Sequence, residues 1–92
     1  MITLQSIISR REEGFVVRAL GEDLILMNTQ NGDYMGLNRV SGDIWTFLEK
    51  PARTEEVITH LMNEYEVSRN DCEHQTIVCL NKMLDQGLIQ VQ

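Results

Sequence analysis

The chain has 92 residues, a length that fits one domain with a single contiguous core. Its apolar fraction of 42% and charged fraction of 24% exclude an intrinsically disordered protein. The formal net charge of −6 at pH 7 disfavours binding to the phosphate backbone of a nucleic acid. We therefore expect residues 1–92 to form one globular domain whose partner is not a nucleic acid.

The sequence also indicates where the protein is found. No apolar run approaches the roughly 20 residues of a membrane span, and the N-terminal residues lack the pattern of a secretory signal. Cys72 and Cys79 fall in one predicted helix at a separation of about 10 Å along its axis, which is too far for a disulfide bond. Free thiols are typical of a reducing compartment, so we expect a cytoplasmic protein with no membrane partner.

The first half of the chain is predicted to form three strands. Gly14–Gly21 is a β-branched, apolar run between two glycines, and Asp23–Asn28 is a second apolar run. Asn31-Gly32 is a strong hairpin signal, after which Tyr34–Asn38 returns as the third strand. Consecutive strands with tight connections form an antiparallel meander. The third strand then lies at an edge, unless the N-terminal segment covers it.

The first predicted helix follows the third strand almost directly. Ser41 is expected to be its N-cap, which would place Val40 and Trp45 at the two positions of a hydrophobic staple. Pro51 is expected to end this helix after Lys50. Such a staple would fix the angle between the strand and the helix.

Two further helices complete the prediction. Thr54 is expected to cap the second helix, and Ser68 the third. Gly87 suits the position after the last helical residue, and Leu88–Val91 is a possible closing strand. The predicted fold class is α+β, with a three-stranded antiparallel meander followed by a three-helix bundle and a winged-helix-like packing.

No catalytic or metal-binding pattern is evident. Cys72 and His74 are two residues apart on a helix, so their side chains project to different faces and do not form a nucleophile–base pair. The paired cysteines of a zinc site are missing. Adjacent carboxylates fit turns and a helix N-terminus. We expect no catalytic residue, no metal and no cofactor.

Two residues allow more than one interpretation. Trp45 is interpreted as a core anchor in preference to a platform for a ligand, because the staple already accounts for it. Gly36 lies inside a predicted strand, where glycine usually marks a bulge. The alternative is that a second backbone comes close to the strand at this point.

Several segments together resemble a known family. These are "YMGLN" at the third strand, "SGDIW" at the first helix, "PARTEEVITHLMNEYEV" over the second, and "LNKMLDQGLIQV" at the end. Their order and spacing resemble the PqqD-like domain that recognises leader peptides in pathways of ribosomally made, modified peptides. The likeness covers Leu4 to Val91. Pro51–Val57 and "DCE" are most similar to the stand-alone leader-binding subunit of split lasso-peptide leader peptidases.

The resemblance implies a function and a site. Such domains bind a precursor's leader as an added strand along the third strand, next to the third helix, and present it to a separate maturation enzyme such as a cysteine protease. The small residues on the third helix would leave room for leader side chains. The implied peptide-binding residues are Tyr34, Met35, Gly36, Leu37, Asn38, Cys72, Gln75, Thr76 and Cys79.

Two alternative functions remain open at this point. The first is a PqqD-type chaperone that works with a radical enzyme on the precursor of pyrroloquinoline quinone. PqqD proper commonly has an aspartate twelve residues before the closing glycine, where this chain has Gln75. The second is a winged-helix transcription regulator, which the net charge of −6 opposes.

Overall fold

The computed structural model describes residues 2–92 as two small antiparallel sheets and three helices. The α+β class, the meander and the three helices are confirmed. One sheet has the strand order β2-β3-β4 and the other the order β5-β1-β6. The elements in chain order are β1 Ile7–Arg10, β2 Phe15–Leu20, β3 Asp23–Asn28, β4 Tyr34–Leu37, α1 Arg39–Phe47, β5 Ala52–Arg53, α2 Thr54–Glu64, α3 Arg69–Asp85 and β6 Ile89–Val91.

The meander consists of β2, β3 and β4, at the predicted positions. Gly21 has φ of 63° at the first position of the two-residue turn between β2 and β3, a conformation that glycine adopts without steric cost. The second turn is longer than Asn31-Gly32 suggests. Within this second turn only Gly32 has a positive φ, and the Asn31 side chain accepts a hydrogen bond from the N–H of Asp33.

The first helix begins earlier than expected. Its N-cap is Asn38, whose side chain accepts a hydrogen bond from the N–H of Ser41, so the assignment of Ser41 as N-cap is wrong. Both residues are good caps, and the chain uses the one that directly follows β4. With Asn38 as the N-cap, Val40 and Trp45 no longer occupy the two positions of a hydrophobic staple. The helix ends at Phe47, before the expected limit at Lys50.

The other two helices begin at or within one residue of the expected positions. Thr54 is the first residue of α2, and its N-cap is Arg53, whose N–H donates to the Glu56 carboxylate at 2.9 Å. The cap of α3 is Ser68, as predicted, and its hydroxyl accepts from the N–H of Asp71.

The second sheet brings the two ends of the described chain together. Strand β1 pairs with β5 on one side and with β6 on the other. The N-terminal segment therefore does not cover β4. Neither β1 nor β5 was predicted, because both are short and their partners are distant in sequence.

The core lies between the helices, the second sheet and the inner face of the meander. Trp45 is 3% exposed, which confirms it as a core anchor. The Arg10 guanidinium lies 5.2 Å from the centre of the Trp45 ring and donates to the Trp45 carbonyl oxygen at 3.0 Å. The most deeply buried side chains, at 0% exposure, include Ile8, Leu26, Ile44, Val57, Ile58, Leu80 and Leu88.

Candidate functional site

The edge of the meander at β4 is the first part of the site. Within the described chain, β4 pairs with β3 on one side only. The pairing runs without interruption from Met27 opposite Tyr34 to Leu24 opposite Leu37. The usual interpretation of Gly36, a bulge, is therefore wrong. The strand is regular and open on its outer side.

One hydrogen bond determines which main-chain groups of β4 face outward. The N–H of Asn28 donates to the carbonyl oxygen of Asp33 at 2.8 Å, so these two residues form a hydrogen-bonded pair. In an antiparallel ladder every second residue bonds to the same neighbour. Met35 and Leu37 therefore point their N–H and C=O groups at β3. Those of Tyr34 and Gly36 point away from the sheet.

The side chains of β4 alternate between two faces of the sheet. Leu37 is 5% exposed and belongs to the core, against which Met35 also packs. Tyr34 is 70% exposed on the opposite face. A Cβ atom added to Gly36 would meet only the Cδ1 atom of Ile25, at 3.9 Å. No neighbouring side chain therefore excludes a larger residue at position 36. The main chain of the edge is accessible.

An apolar pocket of about 160 Å³ is the second part of the site. It brings together all four residues predicted on the third helix. The thiol of buried Cys72 lies 3.7 Å from the carbonyl oxygen of Ile58 and 3.8 Å from the hydroxyl of buried Thr76. The lining residues are Val40, Ile44, Leu61, Tyr65, Val67, Cys72, Gln75, Thr76 and Cys79.

The two parts are neighbours but do not share residues. The pocket is walled by α1, α2, α3 and the α2–α3 connection, and none of the β4 residues lines it. That a leader bound along β4 also faces these residues of α3 stays a prediction. A contact links the two parts: the hydroxyl oxygen of Ser41, three residues after Asn38, lies 3.4 Å from the sulfur of Cys79.

Five pocket residues were not among the predicted site residues. Val40 was assigned to the staple, and the sequence gives no reason to separate the other four from the core; these are Ile44, Leu61, Tyr65 and Val67. The one available signal was the position of Val40, two residues after the predicted binding strand. In the structure its side chain is 41% exposed.

Tyr65 has the clearest electrostatic feature of the pocket. Its hydroxyl donates a hydrogen bond to the Asp43 carboxylate. This bond, together with burial and the nearby negative charge, raises the pKa of Tyr65 above its ordinary value of 10.0. The Arg39 guanidinium lies 5.6 Å from the centre of the same ring and acts in the opposite direction.

Neither a metal site nor a membrane-spanning helix is found in residues 2–92. No group of three or more His, Cys, Asp or Glu side chains in this range is arranged to hold a metal ion. None of the helices in the same range has the length and apolar character to cross a membrane.

Comparison with known proteins finds two similar solved structures and one matching family model. A structure described as TbiB1 in complex with the TbiA(beta) leader peptide is 27% identical, with a TM-score of 0.78, and covers 89% of this chain and 94% of that one. Lasso peptide synthetase B1 complexed with the leader peptide is 23% identical, with a TM-score of 0.77, and covers 90% and 96%. The second likeness concerns the fold alone.

The sequence comparisons differ in outcome. No curated protein matches the chain. The family model for coenzyme PQQ synthesis protein D (PqqD) matches residues 23–89, which include the meander from β3 onward and all three helices. The chain therefore belongs to the PqqD family.

Proposed function

We propose that this protein is a non-catalytic adaptor of lasso-peptide biosynthesis that binds the leader segment of a precursor peptide. It presents the leader to a separate maturation enzyme, a leader peptidase of the cysteine protease class. Residues 1–92 act as one leader-binding domain in the cytoplasm. The observation that carries the proposal is the regular, open edge of β4 beside an apolar pocket, on a fold shared with leader-bound TbiB1.

The leader adds to the meander as a fourth strand. The outward N–H and C=O groups of Tyr34 and Gly36 supply main-chain hydrogen bonds, which give affinity with little dependence on sequence. Asn38, at the start of α1, can add only its N–H, because its carbonyl oxygen accepts from the N–H of Gly42 at 2.7 Å. Met35 and Leu37 stabilise the edge strand, because their main-chain groups bond β4 to β3.

The pocket supplies selectivity. Its lining is mostly apolar, and a volume of about 160 Å³ accommodates an apolar side chain of the leader. Cys72, Thr76 and Cys79 are small, so the surface of α3 leaves this space open. Gln75 is exposed at the rim and can hydrogen-bond to the peptide.

The peptidase chemistry is assigned to the partner. The sulfur of Cys72 contacts a carbonyl oxygen and a threonine hydroxyl, and that of Cys79 contacts Ser41 and Met83. A cysteine nucleophile needs a base within hydrogen-bonding distance. These contacts instead suit thiols that fill space at the edge of the core.

The family match favours one alternative. A PqqD-type chaperone would bind the precursor of pyrroloquinoline quinone and serve a radical enzyme. The same edge and pocket would be used, so the two functions differ in the peptide that binds. The likeness to TbiB1 at 27% identity favours the lasso-peptide assignment.

The test is binding without turnover. Purified protein is titrated into fluorescently labelled synthetic leaders of the lasso precursor and of the quinone precursor encoded in the same genome, and anisotropy is recorded. We expect saturable binding of the lasso leader, and mass spectrometry should show it intact after prolonged incubation. Preference for the quinone precursor would select the chaperone function. Cleavage of the leader by protease-free protein would disprove the adaptor role.

A further inference from the structure

The face of the meander opposite the core is an exposed apolar surface. We define this outer face by Val16, Arg18, Ile25, Met27 and Tyr34, which line an open depression of about 340 Å³. Val16 is 45% exposed and Tyr34 is 70% exposed, while Ile25 and Met27 are half-buried. Contiguous apolar surface of this kind, with a polar group among it, is typical of a protein–protein contact.

The charge of the outer face differs from that of the whole protein. Arg18 is its one charged member, in a chain with a net charge of −6. Arg18 lies opposite Ile25 in the β2–β3 pairing and, within residues 2–92, takes part in no ion pair. An exposed guanidinium surrounded by apolar side chains suits a carboxylate on an otherwise apolar partner surface.

The outer face is also continuous with the proposed leader-binding edge. A strand added to β4 extends the same sheet, and every second side chain of that strand then points to the outer-face side. Those side chains would lie beside Tyr34. A protein that docks on the outer face would therefore contact the adaptor and the bound leader together.

We propose that the outer face is the surface on which the separate maturation enzyme docks, through an apolar patch that carries a carboxylate opposite Arg18. This inference rests on the proposed adaptor function and adds where on the adaptor the maturation enzyme binds. A second copy of this chain is a poorer occupant. A twofold contact between two outer faces would place two Arg18 guanidinium groups in one interface, with no carboxylate among the five residues to pair with either.

The experiment measures the affinity of each variant for two partners, the maturation enzyme and the leader. The maturation enzyme encoded next to the precursor gene is immobilised, and binding of the adaptor is measured without leader and with saturating leader. Leader binding by the adaptor alone is measured separately. The test variants are Arg18→Glu and Val16→Glu. Arg11→Glu is the control for charge, and Val91→Glu, at an exposed valine of β6, is the control for valine replacement.

We expect each test variant to lower affinity for the enzyme at least tenfold, with leader affinity within twofold of wild type. Both controls should bind the enzyme as wild type does, and saturating leader should strengthen enzyme binding by the wild type. Circular dichroism checks the fold, and Arg18→Gln replaces Arg18→Glu if the latter does not fold.

Other results would overturn the inference. Unchanged enzyme binding by folded Arg18 and Val16 variants would exclude the outer face as the docking surface. Self-association of the wild type that Arg18→Glu abolishes, without an effect on the enzyme, would reassign the face to a second copy. If the wild type binds no leader, the proposed function is disproved. The outer face is tested independently of that result, because enzyme binding is also measured without leader.

Discussion

The hydroxyl oxygen of Ser41 and the sulfur of Cys79 lie 3.4 Å apart, and this contact joins the first turn of α1 to α3. It lies between the two parts of the candidate site, the β4 edge and the pocket. Cys79 is half-buried and lines the pocket, so its side-chain volume sets how much space remains for a leader residue.

Enlarging Cys79 should therefore obstruct leader binding. Cys79→Met is expected to lower leader affinity about tenfold or more, because the longer side chain occupies space that the peptide needs. Cys79→Ser keeps the size and should bind within a few fold of wild type. Val78→Met is the positional control, since Val78 is 54% exposed on the same helix and lies outside the pocket. Fluorescence anisotropy with labelled leader gives the affinities. A tenfold loss in Cys79→Ser would mean that the thiol itself has a role.

Proline substitutions test the direction of the β4 main chain. Tyr34→Pro and Gly36→Pro remove outward N–H groups and should abolish leader binding, while the melting temperature stays near that of wild type. Met35→Pro and Leu37→Pro remove N–H groups bonded to β3. Met35→Pro should lower the free energy of unfolding by about 1–3 kcal/mol, the cost of a broken buried hydrogen bond, and Leu37→Pro by more, because it also removes a core side chain. Wild-type leader affinity in folded Tyr34→Pro and Gly36→Pro would show that the leader does not use this edge.

The corrected start of α1 can be tested by removing each possible cap. Asn38→Ala should lower the free energy of unfolding by about 1 kcal/mol, since its side chain caps the N–H of Ser41. Ser41→Ala should cost clearly less, because its hydroxyl contacts only a weakly polar sulfur. Urea denaturation followed by circular dichroism measures both. The reverse order of the two effects would restore Ser41 as the N-cap.

The hydrogen bond between Tyr65 and Asp43 predicts a particular titration. The chain has two tyrosines, so in Tyr34→Phe the phenolate absorbance reports on Tyr65 alone. Its midpoint should lie above 10.0, and Asp43→Asn should bring it back toward that value. Because the pKa is raised in the folded state, this contribution to stability is complete below pH 10 and disappears as pH rises through the folded pKa. A midpoint at or below 10.0 would show that the bond does not form in solution.

The sequence predicts the parts of the fold whose contacts are local. The strands of the meander follow one another through short turns, and each helix has a cap or an apolar stripe that can be read within a few residues. The second sheet could not be predicted in this way. β5 has only two residues, and β1 finds its partners in distant segments, so neither leaves a local pattern.

For the candidate site, the resemblance named residues of the β4 edge and the α3 residues of the pocket. It did not name the pocket residues contributed by α1, α2 and the α2–α3 connection. Whether Val40 and Tyr65 line a pocket or fill a core depends on how α1 and α2 pack against α3. Helical periodicity gives the buried side of each helix and not the gaps that remain after packing. The outward direction of Tyr34 and Gly36 depends similarly on the bond between Asn28 and Asp33, which sequence alone does not specify.

The pairing of Ile8 with Val91 also has a consequence for how the chain folds. The hairpins of the meander close short loops and can form early, whereas this pairing spans almost the whole described chain and carries a large loop-closure entropy. Ile8 is fully buried, so the core is complete only after β6 arrives. On the ribosome, the β4 edge is therefore made well before the domain is stable. The arrival of β6 completes the core but leaves this edge open, because β6 pairs with β1. The main chain of β4 is therefore available to an extended peptide both before and after the domain is stable.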